Sequence, residues 1–175
     1  MPRDAHLSRL RAGAVAMRRV LLALMLLAVA PVAAQPAFVI EQGALVMPRP
    51  IAFEAGDDVL ASDSAEGIAH VITFLAAKPS VTLVRIESHA AAYDEAGTNE
   101  ALTEARVRRL GAAIKAAGGD CRRLVFVAFG ANKPVAAGKS TANDRIVIAM
   151  AALRGVAIGG MPADGGGKVI EDACT

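Results

Sequence analysis

Two apolar, β-branched runs, Val81 to Glu87 and Leu124 to Phe129, flank a stretch in which Leu102, Val107, Leu110 and Ile114 recur at helical spacing. Pro79 and a polar loop bound the first run, Gly118-Gly119 ends the helical stretch, and Gly130 closes the second run. An earlier helix is expected where Asp63 and Glu66 make a capping-box-like start and Ile68, Val71, Ile72 and Leu75 follow until Lys78-Pro79. Ile51-Ala52-Phe53, cut off by Gly56-Asp57-Asp58, reads as a strand before it, and Arg145 to Met150 as a strand after it. The order is β-α-β-α-β-β. Two consecutive strand-helix units imply right-handed crossovers, so the fold class is α+β, a mixed sheet with both helices packed on one face.

Residues 35–50, broken at Gln42-Gly43, read as a lead-in strand or hairpin, and residues 153–175, rich in glycine, as an irregular tail. Ahead of them, basic residues precede an apolar run of 11 residues, Val20 to Ala30, followed by Pro31 and Val32-Ala33-Ala34. A bilayer span needs about 20 apolar residues, so residues 1–34 read as a secretory signal peptide cleaved after Ala34. Met17 is an alternative start, and an uncleaved anchor is the alternative to cleavage. No cysteine follows the run, which argues against a lipoprotein.

Composition narrows function. The chain is 54% hydrophobic but 3% aromatic, with no Trp, which disfavours a carbohydrate cleft of stacked rings or an aromatic nucleic-acid platform. Its formal charge of +2 comes from residues 1–34, which hold five Arg and one Asp; the remainder is slightly acidic, and nucleic acid is not expected as a partner. Export to an oxidising compartment would let Cys121 and Cys174 form the one intramolecular bridge open to them, closing a loop worth about 4 kcal/mol in the chain-entropy account. The two cysteines lack metal-site spacing, and no metal or cofactor is expected. No span is expected in the mature chain.

Particular residues at the joints of these elements resemble the OmpA-like C-terminal domain, the peptidoglycan-binding module of many envelope proteins. Ile51-x-Phe53 followed by Gly56 stands where that family has its first strand and glycine. Asn99, Leu102, Thr103, Arg106, Val107, Leu110, Ile114 and Gly118 reproduce the spacing N-x-x-L-S-x-x-R-A-x-x-V-x-x-x-L-x-x-x-G, with Thr for Ser and Val for Ala. Leu124, Phe129-Gly130 and Pro134 match part of a later segment, and Asn143-x-Arg145-Ile146 sits where the family has N-R-R-V. The resemblance covers residues 51–152 and implies an exported, periplasmic binding module, associated with the wall or outer membrane. Such a module holds the diaminopimelate of the peptidoglycan stem peptide without covalent chemistry.

The implied ligand residues are Arg106 as carboxylate clamp, with Asn99, His89, Asp94 and Arg145. The sequence departs from the family where its Gly-His-Thr-Asp reads Ser88-His89-Ala90-Ala91, leaving Ala91 at the Asp position, and where Asp144 replaces the first Arg of N-R-R. Asp94 or Glu95 would have to receive the ligand ammonium instead. Each residue also has a plainer reading: Arg106 paired with Glu87 or Asp94, His89 as a buried hydrogen-bonded residue, Asn99 as a helix cap, Arg145 as a tie to the preceding loop. Arg108-Arg109 and Arg122-Arg123 read as solvated charge pairs. The alternative function is therefore a degenerate domain that has lost wall binding and serves an interaction or structural role among envelope proteins. An enzyme is not expected: His89 with Asp94 or Glu95 has no nucleophile motif or phosphate loop beside it.

Overall fold

The run Val81 to Glu87 forms the centre of the sheet. In the computed structural model, which describes residues 38–91, 97–160 and 162–175, β3 (Val81–His89) pairs in parallel with β4 (Leu124–Gly130) on one side and antiparallel with β5 (Arg145–Leu153) on the other. Helix α1 (Ser64–Ala77) leads into β3, and helix α2 (Thr98–Ala116) joins β3 to β4. A hairpin of β1 (Ile40–Glu41) and β2 (Ala44–Leu45) adds to β5, as does β6 (Val156–Ala157), and β7 (Lys168–Val169) adds to β4. The sheet has seven strands in the order β1-β2-β5-β3-β4-β7, with β6 on β5. The signal-peptide reading of residues 1–34 lies outside the described residues, as do Asp94 and Glu95. Among the described residues no helix is long and apolar enough to cross a membrane.

Alternation along the strands explains the layers. Val84 and Ile86 of β3, Phe126 and Ala128 of β4, and Ile148 and Met150 of β5 pack with Ile68, Val71, Phe74 and Leu75 of α1 and Val107, Leu110 and Ile114 of α2 in one apolar core. Arg85, Glu87 and His89 point to the opposite face. Gly118, at φ +84°, ends α2 in the left-handed conformation, with the Gly119 N–H donating to Ile114 O at 2.9 Å.

Several expectations are corrected. Ile51-Ala52-Phe53 is not a strand of the sheet. The turn at Gly56-Asp57-Asp58 folds it back on Val59 to Ala61, so Phe53 makes an isolated bridge with Leu60 and these backbone groups bond to each other instead. Asp63 makes no side-chain cap; Ser64 ties the start of α1 to Ala52 instead, its Oγ accepting from Ala52 N–H at 3.0 Å and donating to Ala52 O at 2.8 Å. Gly97, not Asn99, is the residue before α2.

The glycine-rich tail is part of the fold. It supplies β6 and β7, Ile170 and Ala173 join the core, and a disulfide links Cys174 to Cys121, 53 residues apart in sequence. Arg123 is not a solvated charge either. Its guanidinium donates to Leu75 O, Lys78 O and Val81 O, satisfying carbonyls left open at the end of α1 and the entry to β3. Its neighbour Arg122 is 88% exposed and pairs with Asp120.

Candidate functional site

Two turns into α2, the Arg106 side chain runs beneath the loop that connects Phe53 to Leu60. It is 1% exposed. Its guanidinium lies 5.0 Å from the Phe53 ring centroid, its Nε–H donates to Asp57 O at 2.8 Å, and Nη2 donates to Glu54 O at 3.3 Å. Nη1 donates to the carboxylate of Asp144, whose side chain keeps 26% of its surface open. The reading that paired Arg106 with Glu87 is thereby replaced, because Glu87 lies on the other face of the sheet; the one that paired it with Asp94 falls outside the described residues. The partner is the residue that departs from the family's N-R-R.

Beside this pair lies a cleft of about 230 Å³ lined by Pro50 to Phe53, Arg106, Asp144, Arg145 and Ile146. A larger groove of about 630 Å³ runs between α1 and the end of α2, but Leu60, Ile68, Ile72, Ala113 and small or hydroxyl residues line it with no charged group. Of these two, the smaller cleft joins charge to an apolar wall.

His89 belongs to a different environment. On the face away from the helices, Arg85 Nε–H donates to Glu87 Oε1 at 2.6 Å, Glu87 Oε2 lies 3.1 Å from His89 Nε2, and Arg85 Nη1 reaches Gly159 O at 2.9 Å. The His89 ring stacks on Phe129 with centroids 4.9 Å apart and planes 7° from parallel. Burial alone would raise the Glu87 carboxyl, but hydrogen bonds from His89 and Arg85 outweigh it and hold the group below the usual carboxylate range. A carboxyl depressed in the folded state contributes stability at neutral pH, which is lost as pH falls through its folded value. Acid unfolding of Glu87→Gln should therefore show a shallower fall in stability with pH than wild type; parallel curves would show that the row carries no such linkage.

Arg145, opposite His89 in the β3–β5 register, donates from Nη2 to Lys133 O at 3.0 Å, which ties down the loop before its strand. Burial lowers its guanidinium from the usual arginine value, an effect partly offset by Glu87. Asn143 is the main clasp of that loop: its Oδ1 accepts from Val135 and Ala136 N–H groups at 2.8 and 3.0 Å, and its Nδ2 donates to Ala136 O and Gly138 O. Asn99 is buried in the first turn of α2. Thr103 links that helix to β4, its Oγ1 accepting from Gly130 N–H at 3.0 Å.

Of the candidate ligand residues, Arg106 and Arg145 line the cleft, whereas His89 sits in the row on the opposite face. Phe53, Asp144 and the carbonyls of Glu54 and Asp57 were not singled out as partners of Arg106. The charge reversal at Asp144 was the one sequence signal available for them.

The strand order with two helices on one face defines the fold of OmpA-like domains. Among solved structures, the OmpA-like domain of FopA1 from Francisella tularensis subsp. tularensis SCHU S4 superimposes with a TM-score of 0.52 at 18% identity, covering 64% of this chain and 76% of that one. The periplasmic domain of Helicobacter pylori MotB (residues 97–256) gives 0.52 at 18% identity, over 65% of this chain and 86% of that one. No family model matches the sequence, and no curated protein matches it. At these identities the likeness is one of fold.

Proposed function

We propose that the protein is an exported, non-catalytic module of the cell envelope, of OmpA-like fold, that acts by structure or protein contact. In this reading Arg106 does not clamp the peptidoglycan stem peptide. One observation carries it: the Arg106 guanidinium is buried and already bonded to Asp144, Asp57 O and Glu54 O. A ligand carboxylate approaching Arg106 would have to displace Asp144, and its ammonium would find Ala91 where the family resemblance expects a carboxylate. A periplasmic setting, close to the wall or outer membrane, follows from the same resemblance and from the signal-peptide reading of residues 1–34.

The second reading, a module that holds the peptidoglycan stem peptide, is favoured by the cleft that opens beside Arg106 with Phe53 in its wall. Co-sedimentation of residues 35–175 with purified sacculi separates the two. The expected pelleted fraction matches that of a control without sacculi. Saturable pelleting that disappears in Arg106→Met, with that variant still folded by circular dichroism, would reverse the conclusion in favour of peptide binding.

A further inference from the structure

We infer that the C-terminal segment, residues 168–175, is an exchangeable strand: its seat on β4 and α2 takes the same segment from a second copy of this chain, and the Cys121–Cys174 bridge commits the segment to its own chain. The seat shares none of the residues that line the Arg106 cleft.

The segment fills its seat, and so shows what the seat accepts. Lys168 and Val169 pair with Ala128 and Val127 of β4, the Ile170 N–H donates to Phe126 O at 2.9 Å, and Ile170 and Ala173 enter the core. Gly111 leaves room on α2 for the Ala173 carbonyl, which any side chain there would displace. Charge sets the direction. Lys168 pairs with Glu104 and Asp172 with Arg108, one helical turn further along α2, so a reversed segment would set like charges against each other.

These contacts do not distinguish one copy from another. All of them fall on residues between Glu104 and Ala128, which a second copy offers unchanged. The strand β7 has two residues, and residues 158–167 ahead of it, five of them glycine, reach up to about 33 Å when extended, enough to cross to a neighbour. The ties of that linker to the body include single hydrogen bonds such as Asn132 Nδ2 to Gly166 O at 2.9 Å. What singles out the chain's own segment is the bridge. It forms when the Cys121 and Cys174 thiols give up two protons and two electrons to a disulfide oxidant, which becomes a dithiol; until then the segments of two copies are interchangeable.

The test uses two forms of residues 35–175, Cys121→Ser and Cys174→Ser, neither able to bridge within itself. Each is reduced, and the two are mixed in equal amounts and oxidised with glutathione disulfide, which takes up the protons and electrons of each link as glutathione thiols. Random collision gives as many unlike links, Cys121 to Cys174, as like ones. Exchange should make unlike links outnumber like ones by about tenfold or more in peptide mass mapping, because a docked segment holds the two thiols at high effective concentration. Gly111→Ala in the Cys174→Ser chain, whose seat receives the incoming segment, should bring the ratio back to parity. Should that chain unfold, Arg108→Asp at the exposed border of the seat takes its place and should lower the ratio severalfold. Parity without a change to the seat, or an excess that survives one, would overturn the inference. If a cysteine variant does not fold alone, folding on mixing together with the unlike link supports exchange, and failure to fold on mixing refutes it. Bridged wild type mixed with an isotope-labelled copy should give no mixed dimer by native mass spectrometry; a mixed dimer would show that the bridge does not commit the segment.

Discussion

Gly111→Ala is expected to lower stability by about 3 kcal/mol, or the thermal midpoint by roughly 10 °C. At an ordinary helical position the same change would stabilise by about 1 kcal/mol, because alanine is the better helix former. Here a Cβ on Gly111 would fall 2.0 Å from Ala173 O and 2.6 Å from its carbonyl carbon. Those are backbone atoms of a core residue, and the next residue, Cys174, is bridged to Cys121, so the chain cannot swing aside without disturbing the disulfide or the core. Overpacking therefore outweighs propensity. Ala112→Gly, at the exposed neighbouring position, is the control and should lose only about 1 kcal/mol. A Gly111→Ala protein as stable as wild type would show that the C-terminal segment is not seated on α2.

Arg106→Met is expected to cost about 3 kcal/mol, the lower part of the range for breaking a buried ion pair, because Asp144 is partly open to water while Arg106 is not. The substitution keeps an apolar stem against Phe53, so most of the loss is electrostatic: it strands the Asp144 carboxylate and the carbonyls of Asp57 and Glu54. Arg109→Met, three residues beyond Arg106 on the same helix but 56% exposed and paired loosely with Asp58 at 3.3 Å, should change stability by no more than about 0.5 kcal/mol. Urea unfolding of the two variants measures the difference. Equal midpoints would mean that Arg106 is not an internal tie of the fold, and the closed-site reading would fall with it.

Much of the architecture was legible because burial imposes periodicity. The β-branched run at Val81 and the helical spacing of Val107, Leu110 and Ile114 each meet one apolar core, whereas Leu102, expected on the same face, is half-buried outside it, and the period of each pattern reports which element presents it. The same reading mistook Ile51 to Phe53 for a sheet strand. Ile51 and Phe53 do pack on the core, but alternation over three residues does not say whether the backbone partner is a distant strand or the next turn, and here it is Val59 to Ala61. The tail was misread for the opposite reason: β6 and β7 have two residues each, too short for any period, and their glycines resemble a linker.

Linear pattern alone yields the alternation of strands and helices in an OmpA-like sheet, two cysteines with only each other as partners within the chain, and two changes of charge in the ligand motifs, at Ala91 and Asp144. Tertiary structure alone decided what the charged residues do. Arg123 caps α1, Arg106 closes on Asp144, 38 residues away in sequence, and Arg85, Glu87 and His89 form their row on the opposite face. The physical reason is that apolar burial is set by local spacing, which a linear pattern records. Apart from the row at alternate positions of β3, these ion pairs and bonds to open carbonyls depend on which groups distant in sequence the folded backbone brings within about 3 Å of each other, a distance that no spacing along the chain encodes.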